Sequence, residues 1–301
     1  MVWLTPDPEA QHPGDVLRRM LGEDGIVTAP GVFNGLSALL ARRAGARAGY
    51  LSGAAFSASM GLPDIGLFTL DELARTARQI VRVTGMPLIV DADTGFGSAL
   101  NVMRTVRELD DAGCAAVQIE DQVDPKRCGH LAGKEVTDAA AMCEKVAAAR
   151  EAARHILIVA RTDARAVNEL DDAIARGRAY VDAGADMIFP EALETAEEFR
   201  AYADAVDAPL LANMTEFGKS PALTADELAG LGYKVVIFPV SAARVAAFHV
   251  GAFYAELLRD GSAQGWLDRM QTRDDLYDLI GYDAYAELDE AAARRDGSPP
   301  A

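Results

Sequence analysis

Short apolar runs rich in Val, Ile and Leu recur along the chain at Gly25–Val32, Ala48–Ser52, Pro87–Asp93, Ala115–Asp121, Ile156–Thr162, Met187–Glu191, Pro209–Asn213 and Lys234–Val240. Several are apolar without alternation, the pattern of strands buried on both faces. Between them, helical spacing of apolar residues covers Leu70–Val83, Leu100–Asp111, Ala139–Ala153, Leu170–Ala183 and Thr195–Val206. Three helix ends share one punctuation: Ala44-Gly45-Ala46, Asp111-Ala112-Gly113 and Asp182-Ala183-Gly184. Each glycine sits where a helix closes on a left-handed residue before the next strand. Eight strands alternating with helices predict an α/β fold, a (β/α)8 TIM-type barrel. A doubly wound open sheet would need a Gly-rich first turn, and Thr28-Ala29-Pro30-Gly31 supplies no GxGxxG.

After the eighth run, Ser241–Arg259 and Trp266–Leu288 read as extra helices. Their aromatic residues, Phe248, Phe253, Tyr254, Trp266, Tyr277, Tyr282 and Tyr285, exceed what a solvated tail needs and predict packing against another subunit. The chain has 301 residues, enough for a single barrel domain over 1–288, and 289–301 reads as a disordered tail.

The formal charge of −17 argues against nucleic acid as a partner. It does not exclude a carboxylate substrate, because a buried metal and a few arginines reverse the sign locally. No run approaches the ~20 apolar residues of a membrane-spanning helix. Met1–Pro8 has neither the basic nor the apolar segment of a secretory signal. Cys114, Cys128 and Cys143 are odd in number, without CxxC spacing, and fit a reducing cytoplasm.

The polar residues of the strand runs fall into register. Ser52, Asp91, Asp93, Glu120, Arg161, Asp163, Glu191, Asn213 and Thr215 lie at or just past C-terminal strand ends, the face where barrels place their chemistry. With four histidines and no HxH or HExxH, acidic oxygens point to a hard cation rather than zinc. Lys126-Arg127-Cys128-Gly129-His130 sets a thiol among cations and an imidazole in a Gly-containing loop. A free thiol titrates near ~8.5, so such neighbours bring it within reach of proton transfer. Cys114 and Cys143 lie on helical patterns and read as small hydrophobes. Arg161, at a strand end, suits a carboxylate clamp. Ser52, Gly53, Ala54, Asn213 and Thr215 offer hydrogen bonds to carboxylates. The loops after the seventh and eighth runs lack the glycines of a barrel phosphate site.

These motifs resemble the isocitrate lyase/phosphoenolpyruvate mutase superfamily from about Gly25 to Leu288. The resemblance rests on Tyr50-Leu51-Ser52-Gly53-Ala54, Gly61-Leu62-Pro63-Asp64, Asp91-Ala92-Asp93-Thr94-Gly95-Phe96-Gly97, Ile119-Glu120-Asp121-Gln122, Lys126–His130, Phe189-Pro190-Glu191-Ala192, Asn213-Met214-Thr215-Glu216-Phe217 and Gln271-Thr272-Arg273. The acidic motifs occur across the superfamily, whereas KRCGH looks like its lyase branch. What the resemblance implies is a barrel with C-terminal helices swapped between subunits of a homotetramer, and a small di- or tricarboxylate substrate. Asp91, Asp93, Glu120 and Asp64 would serve a Mg²⁺ site, directly or through water. Cys128 would be the acid/base, with Lys126, His130 and Tyr50 beside it, Tyr50 taking a proton from the substrate hydroxyl. Gly129, Glu191, Arg244 and Arg273 would help bind substrate, and Phe189 and Pro239 would shape its pocket. The implied reaction is carbon–carbon cleavage of 2-methylisocitrate to pyruvate and succinate in the methylcitrate cycle. Isocitrate or 2,3-dimethylmalate cleavage and oxaloacetate decarboxylation are the alternatives. A barrel kept only for binding would have lost these groups.

Overall fold

The computed structural model describes residues 3–5, 9–127, 129 and 133–295. Its strands are β1 (Val27–Pro30), β2 (Gly49–Leu51), β3 (Leu88–Asp91), β4 (Ala116–Glu120), β5 (Leu157–Thr162), β6 (Met187–Pro190), β7 (Leu211–Asn213) and β8 (Val235–Phe238). Its helices are α1 (Pro13–Leu21), α2 (Gly35–Arg43), α3 (Gly53–Ser59), α4 (Leu70–Thr84), α5 (Ala99–Asp111), α6 (Ala139–Ala152), α7 (Arg165–Asp182), α8 (Ala196–Ala205), α9 (Ala225–Gly230), α10 (Ser241–Asp260), α11 (Arg273–Ile280) and α12 (Tyr282–Arg295).

Parallel pairing runs β2-β3-β4-β5-β6 and β1-β8-β7. Bridges between Gly31 and Tyr50 and between Ile188 and Leu210 join the two sets into a closed ring. The expected (β/α)8 barrel is therefore the observed fold. Local signals account for its parts. The hydroxyl of Thr69 accepts from the Glu72 amide (3.3 Å) and the Glu72 carboxylate accepts from the Thr69 amide (2.8 Å), a reciprocal cap that starts α4. Gly45, Gly113 and Gly184 take φ of +98°, +82° and +108°, the left-handed turn their helix ends require.

Strand alternation sorts side chains into two apolar layers. Leu88, Val90, Val117, Ile119, Ile158 and Ala160 face the helices. Ile89, Ala116, Leu157, Val159, Met187, Phe189, Leu211, Val235 and Ile237 fill the barrel. Leu17, Met20 and Leu21 of α1 belong to that inner layer. Helix α1 thus plugs the N-terminal end of the barrel, and the chemistry is left to the C-terminal mouth.

The sequence reading did not anticipate α1, α3 or α9. Each is short, so it shows too few turns for a helical period to register. Helix α7 begins at Arg165, earlier than the periodicity indicated, and breaks at Glu169, whose φ is +74°. The tail expected from residue 289 is corrected in part: α12 continues to Arg295, through an alanine run supported by an Arg294–Glu290 pair at 2.9 Å. Residues 296–301 lie outside the described residues. Helix α10 buries none of its residues, and Phe248 on it is 73% exposed. Among the described residues no helix is long and apolar enough to cross a membrane.

Candidate active site

The inner-facing rows of the strands carry the site directly. Past the apolar inner positions, every second residue turns polar: Ile89 leads to Asp91, Ala116 to Gln118 and Glu120, Val159 to Arg161 and Asp163, Phe189 to Glu191, Leu211 to Asn213 and Thr215. One alternation therefore builds a barrel core below and a polar mouth above. The mouth holds a cavity of about 230 Å³ lined by Tyr50, Ser52, Ala54, Asp64, Asp91, Lys126, Gly129, Arg161, Phe189, Glu191, Asn213, Thr215, Pro239 and Arg244, among others. A larger hollow of about 880 Å³ lies outside the barrel between α2 and α10, and its mostly apolar lining carries no comparable cluster of charges.

The carboxylates of the mouth differ in how they are held. Asp91 accepts from the amides of Gly53 (3.1 Å) and Asp93 (3.2 Å) and from Gln118 Nε2 (2.9 Å). The Glu120 and Asp93 carboxylates are buried yet accept no hydrogen bond among the described residues. Asp93 Oδ1 lies 2.8 Å from Lys126 Nζ and Glu120 Oε2 lies 3.0 Å from Arg161 Nη1, as ion pairs without hydrogen-bond alignment. Burial, then the neighbouring Asp91, pushes the Asp93 carboxyl up to about 7. Burial pushes Glu120 well above the carboxylate range, against the pull of Arg161 and Lys126. An unsatisfied buried carboxylate oxygen costs about 1–3 kcal/mol or more, so these atoms mark open valence for a cation.

Magnesium fits this donor set. No three His, Cys, Asp or Glu side chains among the described residues form a ready metal cluster. A hard ion that keeps several waters needs only one or two carboxylates. The Asp93 and Glu120 oxygens have ion-pair partners but no aligned hydrogen bond, whereas Asp91 accepts three hydrogen bonds and Asp64 accepts one from Lys126. Asp64 accepts a short hydrogen bond from Lys126, whose ammonium also pairs with Asp93. Burial alone would lower the Lys126 pKa, but Glu120, Asp93, Asp91 and Asp64 together outweigh it, so Lys126 stays a fixed positive charge.

Arg161 stands at the centre. Its Nε and Nη2 form a fork on Asp163 (3.0 and 3.1 Å), Nη1 faces Glu120 at 3.0 Å and Nη2 faces Glu191 at 3.5 Å. Opposite, Asn213 Nδ2 lies 3.3 Å from Glu191, and Arg244 Nη1 donates to Thr215 Oγ1 (3.2 Å) and the Glu216 carboxylate (2.7 Å). Phe189, Ile237 and Pro239 give the cavity an apolar wall.

The structure thus gathers Tyr50, Ser52, Ala54, Asp64, Asp91, Lys126, Gly129, Arg161, Phe189, Glu191, Asn213, Thr215, Pro239 and Arg244 around one cavity, with Gly53, Asp93 and Glu120 on its carboxylate side. Within one chain Arg273 opens α11, which packs on the outside of the barrel through the Arg43–Asp278 pair at 2.6 Å. Burial and then Asp91 push the Tyr50 phenol well above its ordinary value, and it donates a short hydrogen bond to Gln118. Cys128 and His130 lie outside the described residues.

Sequence reasoning missed Gln118, the polar residue two positions before Glu120 on the same inner row. It gave no role to Asp163 or Lys134, and named Phe217 only within a motif; Phe217 lines the cavity at φ +61° with Arg244 stacked 5.5 Å from its ring. No local signal marks Lys134.

The phosphoenolpyruvate phosphomutase family profile matches residues 17–258. A 2-methylisocitrate lyase of Aeropyrum pernix is 52% identical over 98% of this chain and 96% of that protein. The chain belongs to the phosphoenolpyruvate mutase/isocitrate lyase family. Within that family it is a carbon–carbon lyase, as the curated relatives indicate. A solved 2,3-dimethylmalate lyase of the same superfamily matches with a TM-score of 0.89 at 36% identity, covering 98% of this chain and 100% of that one. A phosphonopyruvate hydrolase solved with oxalate and Mg²⁺ matches with a TM-score of 0.84 at 29% identity, covering 93% and 99%.

Proposed function

We propose that this lyase cleaves 2-methylisocitrate to pyruvate and succinate: the substrate hydroxyl loses its proton as the carbon–carbon bond breaks, Cys128 protonates the succinate carbon, and the proton released from the hydroxyl restores the Cys128 thiol, with Asp93 and Glu120 the residues that would hold Mg²⁺ and Asp91 and Asp64 shaping that site. The reading fits the methylcitrate cycle in a reducing cytoplasm. One observation carries it: donorless buried carboxylate oxygens, a held arginine and an apolar wall share one cavity of about 230 Å³. Acids crowd this mouth, so a carboxylate substrate needs added positive charge there. A bound Mg²⁺ would supply Lewis-acid polarisation of substrate oxygens and that missing charge.

The chain's own groups do the rest. Arg161, with Nη2 between Asp163 and Glu191, presents a fixed cation to a substrate carboxylate where charge develops on the succinate half. Asn213, Thr215, Ser52 and Arg244 supply further donors around the cavity. Lys126 pairs with both Asp64 and Asp93 as a fixed charge. Tyr50, kept protonated, orients Gln118, which in turn holds Asp91. The Phe189–Pro239 wall is where a substrate methyl would pack.

The test is pyruvate release with Mg²⁺ from 2-methylisocitrate, isocitrate and 2,3-dimethylmalate, with oxaloacetate turnover alongside and Cys128→Ser as control. Turnover of 2-methylisocitrate above the others, lost in the serine variant, is the expected result. Exclusive turnover of oxaloacetate that survives Cys128→Ser would overturn it. We also propose that the unburied apolar residues of α10 meet further copies of the chain in a homotetramer, which sedimentation at low concentration tests.

A further inference from the structure

A buried lysine outside the expected site occupies a commanding position. The Lys134 side chain is 2% exposed and its ammonium lies 2.6 Å from Asp163 Oδ1. The same ammonium donates a short hydrogen bond to the carbonyl oxygen of Gly129. Asp163 is itself immobilised: its amide donates to Asp121 Oδ1 at 2.9 Å, and its carboxylate carries the fork of Arg161. Asp121 is in turn gripped by Thr162, Tyr180 and Arg176. A chain of fixed groups therefore runs from the α7 helix through Asp121, Asp163 and Lys134 to one peptide carbonyl at the cavity wall.

Gly129 has no slack there. A Cβ on it would stand 2.4 Å from Arg161 Nη2 and 2.6 Å from Glu191 Cγ, so its backbone packs directly against the arginine and glutamate of the cavity. On the other side of the loop, Gln122 brackets Arg127 through both backbone groups, at 2.9 Å each. Arg127 is thus held by Gln122 and Gly129 by Lys134. A buried ion pair is a weak source of stability, since apolar replacements of similar volume are often neutral. Its geometric effect, fixing a peptide to within a fraction of an ångström, is what a site needs.

We propose that Lys134 is a positioning residue for the lyase reaction: anchored on Asp163, it sets the Gly129 peptide against Arg161 and Glu191. The inference rests on the lyase reading above, and acts through the loop rather than on the substrate.

Lys134→Met is compared with wild type, and again in an Asp163→Asn background where no carboxylate is left without its cation. The expected result is a fall in kcat of about 100-fold in the first comparison and still about 10-fold in the second, with KM changed by less than about threefold. Amide exchange of the segment 122–134 should speed up in Lys134→Met while the barrel strands stay protected. If the methionine lowers kcat by less than threefold, or costs nothing further beside Asp163→Asn, Lys134 merely balances Asp163 and the proposal fails. Wild-type turnover run alongside separates this from failure of the lyase reading. Were wild type inactive on every substrate, unchanged exchange in 122–134 would still overturn the positioning role.

Discussion

Glu120 and Asp121 are neighbours in the chain at the end of β4, both buried, both carboxylates, and they live opposite lives. Alternation sends Glu120 into the mouth, where no donor aligns with it. Asp121 points to the helix layer and accepts from Tyr180 (2.7 Å), Thr162 (2.8 Å), the Asp163 amide (2.9 Å) and Arg176 (3.2 Å). Burial raises the pKa of both; for Asp121 the neighbouring Asp163 charge adds to the rise, and hydrogen bonds from the Asp163 amide, Tyr180 and Thr162 offset only part of it. The contrast separates scaffold from function: a satisfied buried acid holds the fold, and an unsatisfied one waits for a ligand.

The largest expected effect sits on the open acid. Glu120→Gln should cut kcat/KM for the lyase reaction about 1000-fold without loss of thermal stability, because it removes a carboxylate oxygen that would hold the cation while no aligned hydrogen bond is lost. Unchanged activity with saturating Mg²⁺ would break the comparison. The satisfied acid should behave in reverse. Asp121→Asn should cost about 3 kcal/mol of stability in urea titration, by removing a buried charge that Arg176, Tyr180 and Thr162 all face, while folded enzyme keeps most of its kcat.

Proton linkage sharpens the same contrast. The Asp93 carboxyl sits at about 7 in the folded protein, above its unfolded value of about 3.9. The folded state then binds the proton more tightly, so stability without metal should fall as pH rises from about 4 through about 7, and level off above that. Thermal midpoints in EDTA should show this fall, and Asp93→Asn or added Mg²⁺ should flatten it. The smallest effect concerns the apolar wall. Phe189→Leu should shift the preference between 2-methylisocitrate and isocitrate by about tenfold, the worth of one methyl contact, read as a ratio of kcat/KM values.

The barrel was legible because strands such as Ile156–Thr162 are apolar on both faces and because Gly45, Gly113 and Gly184 close helices in the left-handed region. The strand-end acids and Arg161 were legible by position. Gln118 was within reach too, since it shares the inner row of Glu120. Other features depend on contacts across the fold. The α1 plug is defined only by the barrel interior it fills, and Lys134 becomes meaningful only beside Asp163, 29 positions away. The protonation of Tyr50 could not be read from its motif, because its burial is a property of the closed barrel. Arg273 rested on resemblance alone, and this chain places it on an outer helix.

The most direct measurement is calorimetric titration of Mg²⁺ into the wild-type protein, Glu120→Gln and Asp121→Asn, with oxalate present as a small dicarboxylate. The account expects one binding event in wild type, its loss in Glu120→Gln and its retention in Asp121→Asn. Equal binding by Glu120→Gln and wild type would contradict the claim that the donorless carboxylates at the barrel mouth form the metal site.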